Sequence, residues 1–130
     1  MLDCLVEIAD YYDVPPTIVM AVYKTENGKV GEKIGPNKNG TYDLGPMQIN
    51  TWWWDDHELS LDKLNISQES VLNDFCQNIA VGTYILSTNY RSYGNWADAI
   101  TAYNLGKPTE KISSYLRKVL ENLEGVTAPK

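Results

Sequence analysis

Leu72, Cys76, Ile79, Thr83 and Leu86 recur at intervals of four, three, four and three residues, so all five fall on one stripe of an α-helix. Ser67 stands ahead of them as an N-cap, and one long central helix is predicted from there. The remaining apolar residues are arranged to pack around it. Leu2, Leu5, Ile8, Ala9 and Tyr12 keep a helical spacing until Asp13-Val14-Pro15-Pro16, which ends that helix and opens a second, since proline is tolerated in a first helical turn. The second helix turns Val14, Ile18, Val19 and Val22 inward and is expected to stop near Asn27-Gly28, a pair suited to a left-handed C-cap, which leaves Glu26 in its last turn. Gly94-Asn95 introduces a short helix with Trp96, Ala99, Ile100 and Tyr103 inward, and Pro108 opens a last one with Ile112, Tyr115, Leu116, Val119 and Leu123 inward. Between Gly28 and Gly45 the helical period vanishes. There Asn39-Gly40, between the short flanks of Pro36 to Asp43, predicts a small β-hairpin. The expected class is therefore α+β and mainly helical, one domain over residues 1–130 with a loose tail from about residue 124.

With 130 residues and 43% hydrophobic content, such a chain can bury a sizeable core. Its net charge of −6 argues against nucleic acid, because phosphate binding needs clustered Lys and Arg. An anionic polymer would gain no long-range attraction either, so its recognition would rest on stacking and hydrogen bonds, for which four Trp and nine Tyr are suited. No run of apolar residues is long enough to span a membrane, and Met1-Leu2-Asp3-Cys4 has neither a basic nor an apolar leader character, so a cytosolic protein or a mature exported segment is expected. The two cysteines, Cys4 and Cys76, are an even count that suits a disulfide and equally suits two separate buried thiols. His57 is the only histidine, which excludes a Ser- or Cys-type triad and leaves no metal-ligand spacing. Asp55, Asp56 and Glu58 read as a solvated acidic loop, and no glycine-rich phosphate loop occurs. No metal and no cofactor are expected.

Glu26 continues a helix face whose earlier turns present Val19 and Val22, so its carboxyl is expected in apolar surroundings. Burial and the negative end of the helix dipole both raise a carboxyl pKa, as a proton donor to a glycosidic oxygen requires. Asp43 follows seventeen residues later beside Leu44-Gly45, where a turn can set it across a groove from the helix end. Two facing carboxylates are the apparatus of glycoside cleavage, although an Asp beside a Gly also serves as a plain turn residue. The stretch Met47-Gln48-Ile49-Asn50-Thr51-Trp52-Trp53-Trp54 adds amides suited to acetamido groups and indoles suited to sugar faces; three adjacent Trp cannot all face a core. Tyr103-Asn104 offers a phenol and an amide at a helix end, as site groups or as core and cap.

Taken in order, these segments resemble the lysozyme superfamily, and within it the lytic transglycosylases associated with type III and type IV secretion, conjugation and pilus assembly. The resemblance runs from about Cys4 to Leu120 and is carried by Glu26, by Asp43-Leu44-Gly45-Pro46-Met47-Gln48-Ile49-Asn50, by Cys76-Gln77-Asn78-Ile79-Ala80-Val81-Gly82 and by Ala102-Tyr103-Asn104-Leu105-Gly106. Departures are Asn27 where the family usually has Ser after the acid, and Pro46 and Leu105 for the more usual Leu and Ala. The segment from Asp43 to Trp54 is also similar to c-type lysozymes, in which an Asp at this place is the second catalytic carboxylate and tandem Trp hold sugars.

The resemblance implies a lysozyme-like fold with a small hairpin lobe beside a helical one, and cleavage of the β-1,4 bond between N-acetylmuramic acid and N-acetylglucosamine with formation of 1,6-anhydro ends. It implies Glu26 as acid and base, with Asp43 beside it as second carboxylate, and Met47, Gln48, Asn50, Trp53, Trp54, Tyr103 and Asn104 as saccharide contacts. Cys4 and Cys76 match the pair that forms a disulfide in exported members, and the implied site is the periplasm, the signal peptide being absent from this chain. The partners implied are peptidoglycan strands and components of a secretion or pilus system. A hydrolytic lysozyme, or a glycan-binding component with weak catalysis, is the alternative.

Overall fold

A computed structural model describes residues 2–127. Two helices, α1 (Leu2–Tyr11) and α2 (Pro16–Glu26), are followed by three two-residue strands, β1 (Lys33–Ile34), β2 (Asp43–Leu44) and β3 (Ile49–Asn50). Short 3-10 turns at Thr51–Trp54 and Leu61–Leu64 lead to α3 (Gln68–Asn73), α4 (Phe75–Tyr93), α5 (Trp96–Leu105) and α6 (Ser114–Thr127). The architecture is thus mainly helical with one small antiparallel sheet, the α+β class expected. Helix α2 ends where expected, on Asn27 in the left-handed region at φ 53° with its N–H on the Tyr23 carbonyl. The sheet exceeds the expected hairpin by one strand. Its order is β1-β2-β3, with Ile34 opposite Asp43, Asp43 opposite Asn50 and Leu44 opposite Ile49.

The stripe that opened the sequence reading is central, but its helix is broken. Asp74 is extended (φ −123°, ψ 118°), and its carboxylate accepts from the Gln77 N–H at 2.9 Å, which starts α4 afresh. Ser67 caps only the short α3, through the Ser70 N–H. In a continuous helix the Val71 and Leu72 carbonyls would accept from residues 75 and 76. Freed by the break, the Leu72 carbonyl accepts from Gly31 N–H at 2.7 Å and the Val71 carbonyl from the Asn78 amide at 2.9 Å, so the interruption joins the helices to the lobe that holds the sheet. The last helix also starts later than Pro108 suggests. Ser113 Oγ accepts from Leu116 N–H at 3.0 Å and is the better cap, leaving Ile112 ahead of the helix and 60% exposed. The tail expected from about residue 124 is helical as far as Thr127, and residues 128–130 lie outside the described residues.

Helix α4 packs against α1 and α5, while α6 lies along α2. Leu5 and Ala9 of α1, Val19 and Val22 of α2, Ile79 and Leu86 of α4, and Val119 of α6 are buried together. Each such side chain contributes roughly 1.5–3 kcal/mol of hydrophobic stabilisation if a large aliphatic is fully withdrawn from water. Met47, from the turn between β2 and β3, is fully buried in the same core and ties the sheet lobe to α4. No helix among the described residues is long and apolar enough to cross a membrane.

Cys4 of α1 and Cys76 of α4 are joined by a disulfide, with Cα atoms 5.9 Å apart and 72 residues of sequence separation. Closing a loop of that length in the unfolded chain is worth about 4 kcal/mol in the chain-entropy model. Replacing both cysteines with alanine is therefore expected to lower unfolding free energy by about 2–5 kcal/mol in urea titration. A loss below about 1 kcal/mol would mean that α1 is held by its packing alone.

Candidate active site

A cleft of about 470 Å³ separates the end of α2 from the sheet. Glu26, Asp43, Gln48, Asn50, Trp53, Tyr103 and Asn104 line it, so seven of the nine expected site residues converge on one space. Asn37, Lys38, Asn39, Thr41, Ile49 and Ile85 complete the wall.

Glu26 is the last residue of α2 and is mostly withdrawn from water, which pushes its carboxyl up to about 7 from the usual 4.5. A hydrogen bond from Tyr115 works in the opposite direction, and the charge of Asp43 adds to the rise. The Tyr115 hydroxyl donates to Glu26 Oε2 at 2.6 Å from α6. The sequence does not mark it as a site residue, nor does it mark Asn37 and Thr41 of the cleft wall. The place of Tyr115 on the inward stripe of the last helix marks it as core, and the available signal is that a buried phenol needs a polar partner. Burial also raises the Tyr115 and Tyr103 hydroxyls, with the neighbouring Glu26 next in effect, so both stay protonated donors. The Tyr103 hydroxyl donates a hydrogen bond to the Met47 carbonyl at 2.7 Å.

Asp43 is held from both sides by amides. Asn37 Nδ2 donates to its Oδ2 at 3.2 Å and Asn50 Nδ2 to its Oδ1 at 3.0 Å. Both amides also reach Thr41 Oγ1, at 3.1 and 3.0 Å, and Thr41 Oγ1 in turn donates to Asn39 Oδ1 at 2.6 Å. This network of side chains from the β1–β2 loop and β3 fixes the carboxylate through two amides, which Thr41 and Asn39 hold in turn. It also revises the expected role of Asn50: both its amide hydrogens are engaged and its Oδ1 accepts from Trp52 N–H, so it positions Asp43 rather than gripping a ligand.

Two expected contacts lie elsewhere. Met47 is completely buried with its side chain against Gly82, because the turn between β2 and β3 points it into the core. Trp54 leaves the cleft because its indole N–H is drawn to the Ile66 carbonyl at 2.7 Å. Trp53 alone of the three lines the cleft, with Trp52 edge-on to it at 5.1 Å and stacked on His57 at 4.1 Å. Gln48 sits at φ 52° and donates to the Gly45 carbonyl at 3.0 Å, which leaves its carbonyl oxygen and one amide hydrogen for a ligand. Asn27, the residue after Glu26, is the exposed helix cap and does not line the cleft. Among the described residues no cluster could hold a metal ion. A carboxyl that keeps its proton up to about pH 7, facing a hydrogen-bonded carboxylate with an indole and two amides around them, is an arrangement able to protonate a leaving oxygen and stabilise a cation beside it.

The chain matches the transglycosylase SLT domain over residues 3–121 and belongs to that family, a group of lytic transglycosylases with the lysozyme-like fold. It is an enzyme of that kind. Among its relatives are the invasion protein IagB of Salmonella typhimurium (strain SL1344), 33% identical over 97% of this chain and 80% of the relative, and protein IpgF of Shigella flexneri, 28% identical over 88% and 73%. The X polypeptide of Escherichia coli is 26% identical over 98% of this chain and 76% of its own length.

Because the Tyr115 hydroxyl favours the charged form of Glu26, Tyr115→Phe should raise the midpoint of Glu26 above about 7. Carbon-detected NMR of the carboxyl across pH reads this directly. A midpoint that stays put or falls would mean that the phenol does not stabilise the carboxylate.

Proposed function

We propose that this enzyme cuts the β-1,4 bond between N-acetylmuramic acid and N-acetylglucosamine in peptidoglycan strands. In this reading Glu26 gives its proton to the bridging oxygen as the C1–O bond breaks, and N-acetylglucosamine leaves with that proton. The same carboxylate then takes the proton of the muramic 6-hydroxyl while its oxygen bonds to C1, which closes a 1,6-anhydro ring and restores Glu26. Atoms balance without water. The observation that carries the reading is the Glu26 carboxyl, pushed up to about 7 in a cleft whose other wall holds Asp43.

Asp43 acts in this scheme as the electrostatic partner of the developing positive charge. The two amides on its oxygens hold the carboxylate in place and stabilise its charge, which suits that part. Gln48 and Asn104 hold acetamido groups and Trp53 stacks on a sugar face. The disulfide fits an oxidising compartment, and with the likeness to an invasion protein it supports work in the periplasm, opening the wall locally for a secretion or pilus apparatus.

Purified sacculi test the proposal. Glu26→Gln should fold normally and lose nearly all cleavage, since the amide keeps the shape without a transferable proton. Mass spectrometry of the wild-type products should find anhydro ends; reducing ends would make Asp43 and water the second half of the reaction, as in a lysozyme.

Asp43→Asn should slow cleavage by roughly a hundredfold while lowering stability by only about 1 kcal/mol, the cost of one amide hydrogen bond lost to Asn37 or Asn50. A near-wild-type rate would reduce Asp43 to a residue of the hairpin turn.

A further inference from the structure

A second hollow, of about 370 Å³, shares no residue with the cleft. It opens where the C-terminal end of α1, the last turns of α4 and the start of α5 meet, and four of its walls are aromatic: Tyr11, Tyr12, Tyr90 and Trp96. Trp96 is stacked on Tyr90 with ring centroids 4.2 Å apart and planes 29° from parallel, so each ring supports the other and keeps only its outer face for a ligand. Tyr11 is 79% exposed and stands edge-on to Tyr12 at 4.9 Å. Ser87 reaches under them to the Tyr12 carbonyl and ties the floor of the hollow across the two helices. Asp13, in a left-handed turn at φ 57°, and Arg91 complete the rim, and among the described residues neither is in an ion pair.

Ring faces beside one free carboxylate and one free guanidinium are the chemistry that grips a pyranose: the apolar face of the sugar stacks, and its hydroxyl and acetamido groups meet the charged acceptor and donors. We propose that this hollow is a second glycan-holding site, which takes one or two N-acetylated amino sugar residues of the polymer cut in the cleft; it rests on the reading that the substrate is peptidoglycan. Helix α5 carries both sites, with Trp96 at its start in the hollow and Tyr103 near its end in the cleft. Seven residues of helix separate them, about 10 Å along the axis. A chain of net charge −6 has no field to draw in an anionic strand. A second foothold compensates by making engagement of the cleft intramolecular.

Indole NMR of Glu26→Gln protein, titrated with the β-1,4-linked tetramer of N-acetylglucosamine, separates the two sites. Trp53 reports the cleft and Trp96 the hollow, while Trp54, bonded to the Ile66 carbonyl, is the internal control. Both Trp53 and Trp96 signals should move. In a Tyr11→Ala, Arg91→Ala background, two exposed positions, the Trp96 shift should need roughly tenfold more tetramer while that of Trp53 is unchanged. With Glu26 restored, the same double variant should cleave soluble oligomers at the wild-type rate but be retained on sacculi roughly tenfold more weakly. Movement of Trp53 alone overturns this inference and leaves the cleft assignment standing, whereas no movement of either overturns both. Retention equal to wild type, or a Trp96 response to a proline-rich peptide and not to the glycan, also overturns it.

Discussion

The amide of Asn78 holds the two parts of the molecule in register. It is wholly buried in α4, where its Nδ2 donates to the Leu44 and Val71 carbonyls at 2.8 and 2.9 Å and its Oδ1 accepts from Met47 N–H at 2.8 Å. A buried amide is costly unless paired, and here every bond it makes falls on backbone that regular structure leaves without a partner: the end of β2, the turn after it and the broken end of α3. Gly45 has to be glycine for this reason, since at φ 70° a Cβ would stand against the Asn78 amide. Gly82 is needed one turn further along α4, where Met47 fills the space a side chain would occupy. The position of Asp43, one residue before Leu44, follows from that clamp.

The acidity of Glu26 is set by parts of the chain far apart in sequence. Burial dominates, Tyr115 from the last helix offsets some of it, and Asp43 from the sheet adds to it. The phenol fixes the orientation of the carboxyl while limiting how far its pKa climbs, which keeps the group able both to hold and to release a proton near neutrality. The cleft therefore divides the work between one carboxyl kept out of water and another surrounded by amides.

Much of this was legible from residue pattern alone, because helices of ten or more residues carry their own period. The helix stop at Asn27 and the inward face of Val19 and Val22 place Glu26 correctly, and Asn39-Gly40 marks the hairpin that delivers Asp43. What escapes is what tertiary contacts decide. A strand of two residues, such as Ile49–Asn50, is too short to have a period. The break at Asp74 has no proline or glycine to announce it; the freed carbonyls find their partners through tertiary contacts, Leu72 with Gly31 N–H and Val71 with the Asn78 amide of α4. Tyr115 and Leu116 are alike to a periodicity argument, yet one reaches the carboxyl and the other the core. Trp53 and Trp54 are equally alike, and a single indole hydrogen bond sends the second away.

Helix α6 touches α2 at two polar points, Tyr115 on Glu26 and Asn122 on the Thr25 hydroxyl at 2.8 Å. Synthesis runs from the N-terminus, so the residue that would do the chemistry emerges 89 positions before the phenol that orients it. Until the last helix docks, that glutamate lacks its hydrogen-bond partner and the cover that α6 gives to α2. Assembly of the site therefore waits on the last helix: a chain that stopped before α6 would carry Glu26 without the phenol that orients it.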